Sequence, residues 1–437
     1  MNRRTVEFGC SVIVVGLLAG VAGLCTTLFL RFVEHVTYHY TFGTLLAGVS
    51  GSSPVRRAIG PMIGGALAGF GWWMLRRRAE VPPLADTIAA HRRIPRLPMT
   101  IDAALQVLLV GSGASLGREG APRQLAAALG DLATSRWSLT DRDREILLAC
   151  AAGAGLAAVY SVPIGGALFA TAIMLKTWHP RAVGTALITS SLAVAVAAPL
   201  THEAPPLTWP DPQLSYLLVG FACVLAPLNF GVGLAFNKVM AWARPSTTAT
   251  SWLLIPAIAA AGLLIGLCSI RYPELPGNGK SILTVSLNSG LTLSSAVAIL
   301  FLKPVLTAVF LRAGAVGGML TPAVATGAAM GSVVALAINS LTQHHVSVPA
   351  VALTCAAGVL AITQGAPIWA AIFVWELARP PWWLLAPFLT AAILSRLLQQ
   401  LFDRPPFRPE GGRSTTAASW PRCRRRRRSP PGPRRPG

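Results

Sequence analysis

The sequence predicts an all-α polytopic membrane protein, an inverted repeat of tilted and broken helices. Three observations carry that prediction. The 437 residues are 53% hydrophobic and only 12% charged, where a soluble chain would carry roughly twice the charged fraction; mean hydropathy is +0.57. Weakly charged segments, many long enough to cross a hydrocarbon core of about 30 Å, recur along the chain. Inside the apolar stretch Val107–Leu129 stands Gly117-Arg-Glu-Gly120, an acid and a base where a bilayer tolerates neither without a function.

The first run, Phe8–Leu30, follows Arg3 and Arg4 and continues its Gly/Ala/Val character into Thr26–Phe32 without a cleavage site. It reads as a retained helix, not a signal peptide. Ile59–Leu75 ends in Arg76-Arg-Arg78, and His91-Arg-Arg93 follows, so the Arg76–Arg96 loop is expected on the cytoplasmic side. Val107–Leu129 is expected to break within Gly111–Arg123, where small residues end one helix and start another. Ile146–Val159 and Ile368–Glu376 are short and suit tilted, re-entrant or half-crossing helices. Ala182–Leu200, Leu214–Val232, Ser251–Leu267, Ser281–Phe301, Ala313–Ile338 and Trp382–Ile393 supply the remaining long apolar segments.

The +21 formal charge is unevenly spread, with eight arginines between Arg422 and Arg435 in a Pro/Ser/Gly-rich tail. That tail has too little apolar material to fold. Residues 1–409 are expected to form one transport domain, with halves 1–205 and 206–409, and residues 410–437 a disordered basic cytoplasmic tail. Such a tail suits anionic lipid; no specific nucleic-acid partner is expected. The seven cysteines, Cys10, Cys25, Cys150, Cys223, Cys268, Cys355 and Cys423, form neither a disulfide framework nor a metal-type pair. No cofactor or metal is expected. A membrane-embedded hydrolase is disfavoured, because His202-Glu-Ala-Pro lacks a second histidine at metal spacing and His344-His345 has no acidic partner.

Two stretches share one grammar. Gly117-Arg-Glu-Gly120 precedes Ala151–Phe169, and Gly314–Pro322 precedes Ala356–Phe373. Pro163 and Pro367 each lie six residues before a phenylalanine, while Gly117 and Gly317 lie 46 and 50 residues before their respective prolines. Such repetition suggests two halves closing around one path. At a broken helix the first backbone N–H groups have no intrahelical acceptor and present roughly half a positive charge, an anion site without cationic side chains. Glu119 lies near such a start, where its carboxylate can take the position of an anion. Protonation would neutralise it and release it, which makes it a gate. Arg118 offsets Glu119, adds positive potential at the mouth, or serves as a structural ion pair or backbone contact. A tight arginine clamp is not expected, since it would slow release.

The ordered set Gly117-Arg-Glu-Gly120, Leu156–Phe169, Gly317–Pro322 and Gln364–Glu376 resembles the CLC chloride channel and proton/chloride antiporter family over most of residues 10–409. The resemblance implies a CLC-like inverted repeat and a cell-membrane, multi-pass homodimer with one anion path per subunit. By it, Glu119 is the gating glutamate, and Gly117, Arg118, Gly120, Gly318, Met319 and Leu320 lie at the anion-binding helix starts, with Pro322 closing the second motif. Ala121 stands where the family has proline, and Leu320 where it has phenylalanine. The family's early serine segment has no clear match; Ala79–Asp86 occupies its place. Phe407 aligns with the pore tyrosine and so joins the anion-binding set with an apolar ring. The internal proton-transfer glutamate falls at Ala172 or Ile173, neither of which ionises. The expected activity is therefore passive or weakly coupled passage of chloride or another small halide through the bilayer, with no enzymatic chemistry. The alternative is proton-coupled chloride or fluoride antiport. Glu376 matches a recurrent acid of the second half and is given no proton-transfer role.

Overall fold

The computed structural model describes residues 3–40, 43–135, 137–201, 216–245, 250–342 and 345–403. Helix α1 (Arg3–Tyr38) is followed by the short α2 (Leu45–Gly51), α3 (Pro54–Arg78) and the short α4 (Leu84–Ala89). Next come α5 (Arg96–Gly111), α6 (Gly120–Thr134), α7 (Asp141–Tyr160) and α8 (Pro163–Leu168), which runs on as a π-helical segment, Phe169–Leu175. Then α9 (Pro180–Thr201), α10 (Tyr216–Ala243), α11 (Leu254–Arg271), α12 (Lys280–Leu287) and α13 (Leu293–Arg312) precede α14 (Leu320–Leu341). The chain closes with α15 (Val348–Gln364), α16 (Pro367–Ala378) and α17 (Leu385–Phe402). Among the described residues, eight helices are long and apolar enough to cross a membrane, judged by length and composition.

The breaks follow local chemistry. Thr140 and Thr292 cap α7 and α13 by accepting from the amides of Asp143 at 3.1 Å and Ser295 at 3.2 Å. Helix α7 stops at Ser161 (φ +56°) and α15 at Gly365 (φ +71°), and in each case a proline two residues on starts the next helix. The left-handed residues Lys176 and Arg379 end the segments that follow. Thus a stop, a proline start and a second stop occur in both halves of the chain.

One expected segment is corrected. Ser281–Phe301 is not a continuous helix; α12 and α13 are separate. The cause is the turn at Asn288-Ser-Gly290, where Ser289 adopts φ +52° and Gly290 N–H returns to Val285 O at 3.0 Å. The apolar run Ala313–Ile338 likewise begins in loop and turns helical only at Leu320. Helix α15, only 17 residues long, is almost wholly buried and so reads as apolar on every face.

Small residues let the core helices touch. A Cβ on Gly65 of α3 would lie 2.6 Å from Ile258 O of α11, and one on Gly331 of α14 would lie 2.6 Å from Val351 O of α15. Only glycine permits backbones this close. At the arginine-rich end, Asp131 of α6 pairs with Arg96 of α5 at 2.8 Å and also with Arg144 of α7, while Arg181 reaches Asp143 at 2.7 Å. These pairs fasten one end of α5, α6, α7 and α9.

Candidate functional site

The chain between α5 and α6 meets the chain before α14 in a single antiparallel bridge. Gly117 N–H donates to Gly318 O at 2.7 Å, and Gly318 N–H donates to Gly117 O at 2.8 Å. This sets the two helix starts side by side. A Cβ on either glycine would overlap the Glu119 side chain, so the carboxylate keeps this position only with glycine at both places.

Glu119 is 1% exposed. It precedes α6, yet its side chain caps α14: Oε1 accepts from the amides of Leu320 at 2.7 Å and Thr321 at 3.1 Å. Oε2 accepts from the Thr321 hydroxyl at 3.2 Å and, at 3.4 Å, from the Tyr160 hydroxyl. No side chain from α14's own capping residue, Met319, competes for those amides. A carboxylate therefore rests on the orphan donors and positive end of a 22-residue helix.

Not every residue named from the sequence reaches this point. The amides of Gly117 and Gly318 are occupied by each other, so the donors used are those of Leu320 and Thr321. The Met319 thioether accepts from Arg244 Nη2 at 3.5 Å. Arg118 makes the backbone contact of the readings open to it: Nη2 reaches Val159 O at 3.5 Å, and the guanidinium lies 5.2 Å from the Tyr160 ring centroid. Gly120 lines a neighbouring cavity of about 270 Å³ with Pro83, Ala85, Gln106, Arg123 and Gln124, which puts part of the 79–86 segment near the Gly117–Gly318 bridge. Phe407 and the tail 410–437 lie outside the described residues. Ala172 and Ile173 fall in the π-helical segment.

Three groups escaped the sequence reading. Tyr160 brings a phenol to the carboxylate, and Asn278 Nδ2 approaches that phenol at 3.4 Å. Lys303 is fully buried in α13, with Nζ donating to Leu275 O at 3.0 Å and Gly277 O at 2.7 Å, and so holds the loop that carries Asn278. The signal for Tyr160 was its place directly before the α7 stop, where a side chain projects into the break. Glu376 accepts from Ile164 N–H at 2.9 Å and from Gly165 N–H, capping α8 from across the repeat. It is a structural cap.

The family model for voltage gated chloride channels matches residues 64–400. The voltage-gated ClC-type chloride channel ClcB of Escherichia coli is 27% identical over 407 residues, covering 90% of this chain and 95% of that protein. Among solved structures, a slow cyanobacterial Cl−/H+ antiporter aligns with TM-score 0.76 at 19% identity, over 91% of this chain and 95% of the other. A CLC-type fluoride/proton antiporter aligns with TM-score 0.71 at 18% identity, over 91% and 96%. At these identities the two structures establish the shared fold.

Proposed function

The chain belongs to the voltage gated chloride channel family, and from that premise we propose that it passes chloride across a membrane, passively or with weak coupling, through a path gated by Glu119. It is a multi-pass integral membrane protein. One observation carries the reading: the Glu119 carboxylate, itself an anion, accepts from the two free amides at the start of α14. A halide satisfies the same donors, so carboxylate and substrate compete for one seat. Protonating Glu119 removes its charge and weakens its hold, because hydrogen bonds to an ionised acceptor are about twice as strong as neutral ones. The gate opens as pH falls.

Passive movement is favoured over exchange because neither Ala172 nor Ile173 can carry a proton inward from the gate. The path belongs to one transport domain with halves 1–205 and 206–409, the arginine-rich end faces the cytoplasm, and two copies assemble as a homodimer with one path each. Proton-coupled chloride or fluoride exchange is the second reading. It is favoured by the two hydroxyls, of Thr321 and Tyr160, at Oε2 of Glu119, which offer a proton another way out.

Purified protein in liposomes under an imposed chloride gradient, followed with a chloride electrode and a pH-sensitive dye together, tests the proposal. Chloride should leave with proton movement no larger than passive leak. A fixed chloride-to-proton ratio with uphill proton pumping would replace the passive reading by exchange, and a strong fluoride preference would replace the substrate.

A further inference from the structure

Arg123 is a half-buried cation that the gate does not use. It is the fourth residue of α6, and its Nε donates to the Glu119 carbonyl oxygen at 2.7 Å. The guanidinium carbon lies 5.1 Å from the Phe169 ring centroid. Among the described residues, neither Nη takes part in a hydrogen bond or ion pair. The side chain lines the cavity of about 270 Å³ behind the Gly117–Gly318 bridge. The half-buried guanidinium thus leaves both Nη groups open to that cavity, where their charge-assisted donors can take an anion.

A second group in the cavity wall also lacks a partner. Gln106 is 1% exposed, and its orientation is fixed: Nε2 donates to Asp102 Oδ2 at 2.8 Å and to Gln124 Oε1 at 3.0 Å. Asp102 also accepts from Trp72 Nε1 at 2.7 Å and Gln124 Nε2 at 3.0 Å, so turning the amide over would set its oxygen against a carboxylate. Gln106 Oε1 is therefore a buried acceptor without a donor. The cavity offers space for an anion and several waters.

We propose that Arg123 sets anion specificity at this cavity, where its free Nη edge binds a planar monovalent oxyanion while the polar wall at Gln106 and Gln124 keeps the site hydrated. With Nε engaged by Glu119, the two Nη atoms still present parallel N–H donors. That fork matches two oxygens of one planar anion, and a spherical halide can use it less fully. Glu119 lies one helical turn before Arg123, which holds its carbonyl oxygen. Departure of the Glu119 carboxylate leaves the guanidinium charge uncompensated and favours anion capture there.

The assignment rests on the anion-path reading, and the test separates the two. Nitrate and chloride binding are measured by titration calorimetry on purified wild-type protein, Arg123→Lys and Arg123→Gln, each passing size-exclusion chromatography as a single species. Wild type should bind nitrate about tenfold more tightly than chloride, the worth of one additional charge-assisted hydrogen bond. Arg123→Lys keeps the charge but loses the fork, so the two affinities should converge. Arg123→Gln should lose about tenfold or more in nitrate affinity. Chloride preference in wild type, or an unchanged nitrate-to-chloride ratio in Arg123→Lys, would overturn the assignment. Nitrate binding that needs Arg123, in a protein that moves no anion when reconstituted, would sustain the assignment while sinking the path.

Discussion

Replacing Glu119 with alanine removes the resident anion from the start of α14, and the structure bounds the effect. The carboxylate holds two backbone bonds, at 2.7 and 3.1 Å, and two hydroxyl contacts, at 3.2 and 3.4 Å. Counting only the backbone pair at about 1.5 kcal/mol each gives about 3 kcal/mol, roughly a hundredfold in the competition between carboxylate and chloride. Part of that is returned because the displaced carboxylate finds water, so a gain of at least about tenfold in apparent chloride affinity at neutral pH is the firmer expectation. The assay is chloride efflux from liposomes, read with an electrode between about pH 7.5 and about pH 3.5, a range that spans ordinary carboxylate protonation. Wild-type flux should rise as pH falls. Glu119→Ala should be fast and nearly flat across the range. Equal pH dependence in both folded proteins, or weaker chloride binding in the variant, would refute competition for one seat.

Glu376→Ala strips the cap from α8 and leaves the Ile164 and Gly165 amides unsatisfied; the loss should be about 2–4 kcal/mol, seen as a lower unfolding temperature in detergent, whereas an unchanged temperature would deny the cap its role. Tyr160→Phe removes one hydroxyl from the seat and should weaken chloride binding by about 1 kcal/mol, roughly fivefold by calorimetry; tighter binding would mean that the phenol serves the carboxylate alone. Ala172→Glu and Ile173→Glu, made separately, should introduce proton movement only while Glu119 is present. Dye-reported proton flux that persists in the Glu119→Ala background would place the proton route elsewhere. Burying the new carboxylate costs several kcal/mol, so the dye signal is compared only among variants that elute as wild type does.

Much was legible in the chain because it is local. Long apolar runs dictate helices, and Ser161 or Gly365 followed by proline dictates where they stop and restart. A glutamate within Gly117-Arg-Glu-Gly120, inside an apolar stretch, draws attention to the proposed site. Missed breaks, such as the turn at Asn288-Ser-Gly290, lay inside runs whose average hydropathy hid three polar or small residues.

What the sequence could not decide is which helix start each acid serves. Glu119 was expected at the start of a broken helix, and it caps one that begins 201 residues later; Glu376 caps an amide 212 residues earlier. Helix propensity and breaking act over a few neighbouring residues, whereas these pairings depend on how whole helices pack. The Gly117–Gly318 bridge, the Tyr160 phenol and the free edge of Arg123 have the same origin. The amino-acid order fixes the donors, the acids and the breaks; close packing of the helices, with glycine at the bridge, determines which of them meet.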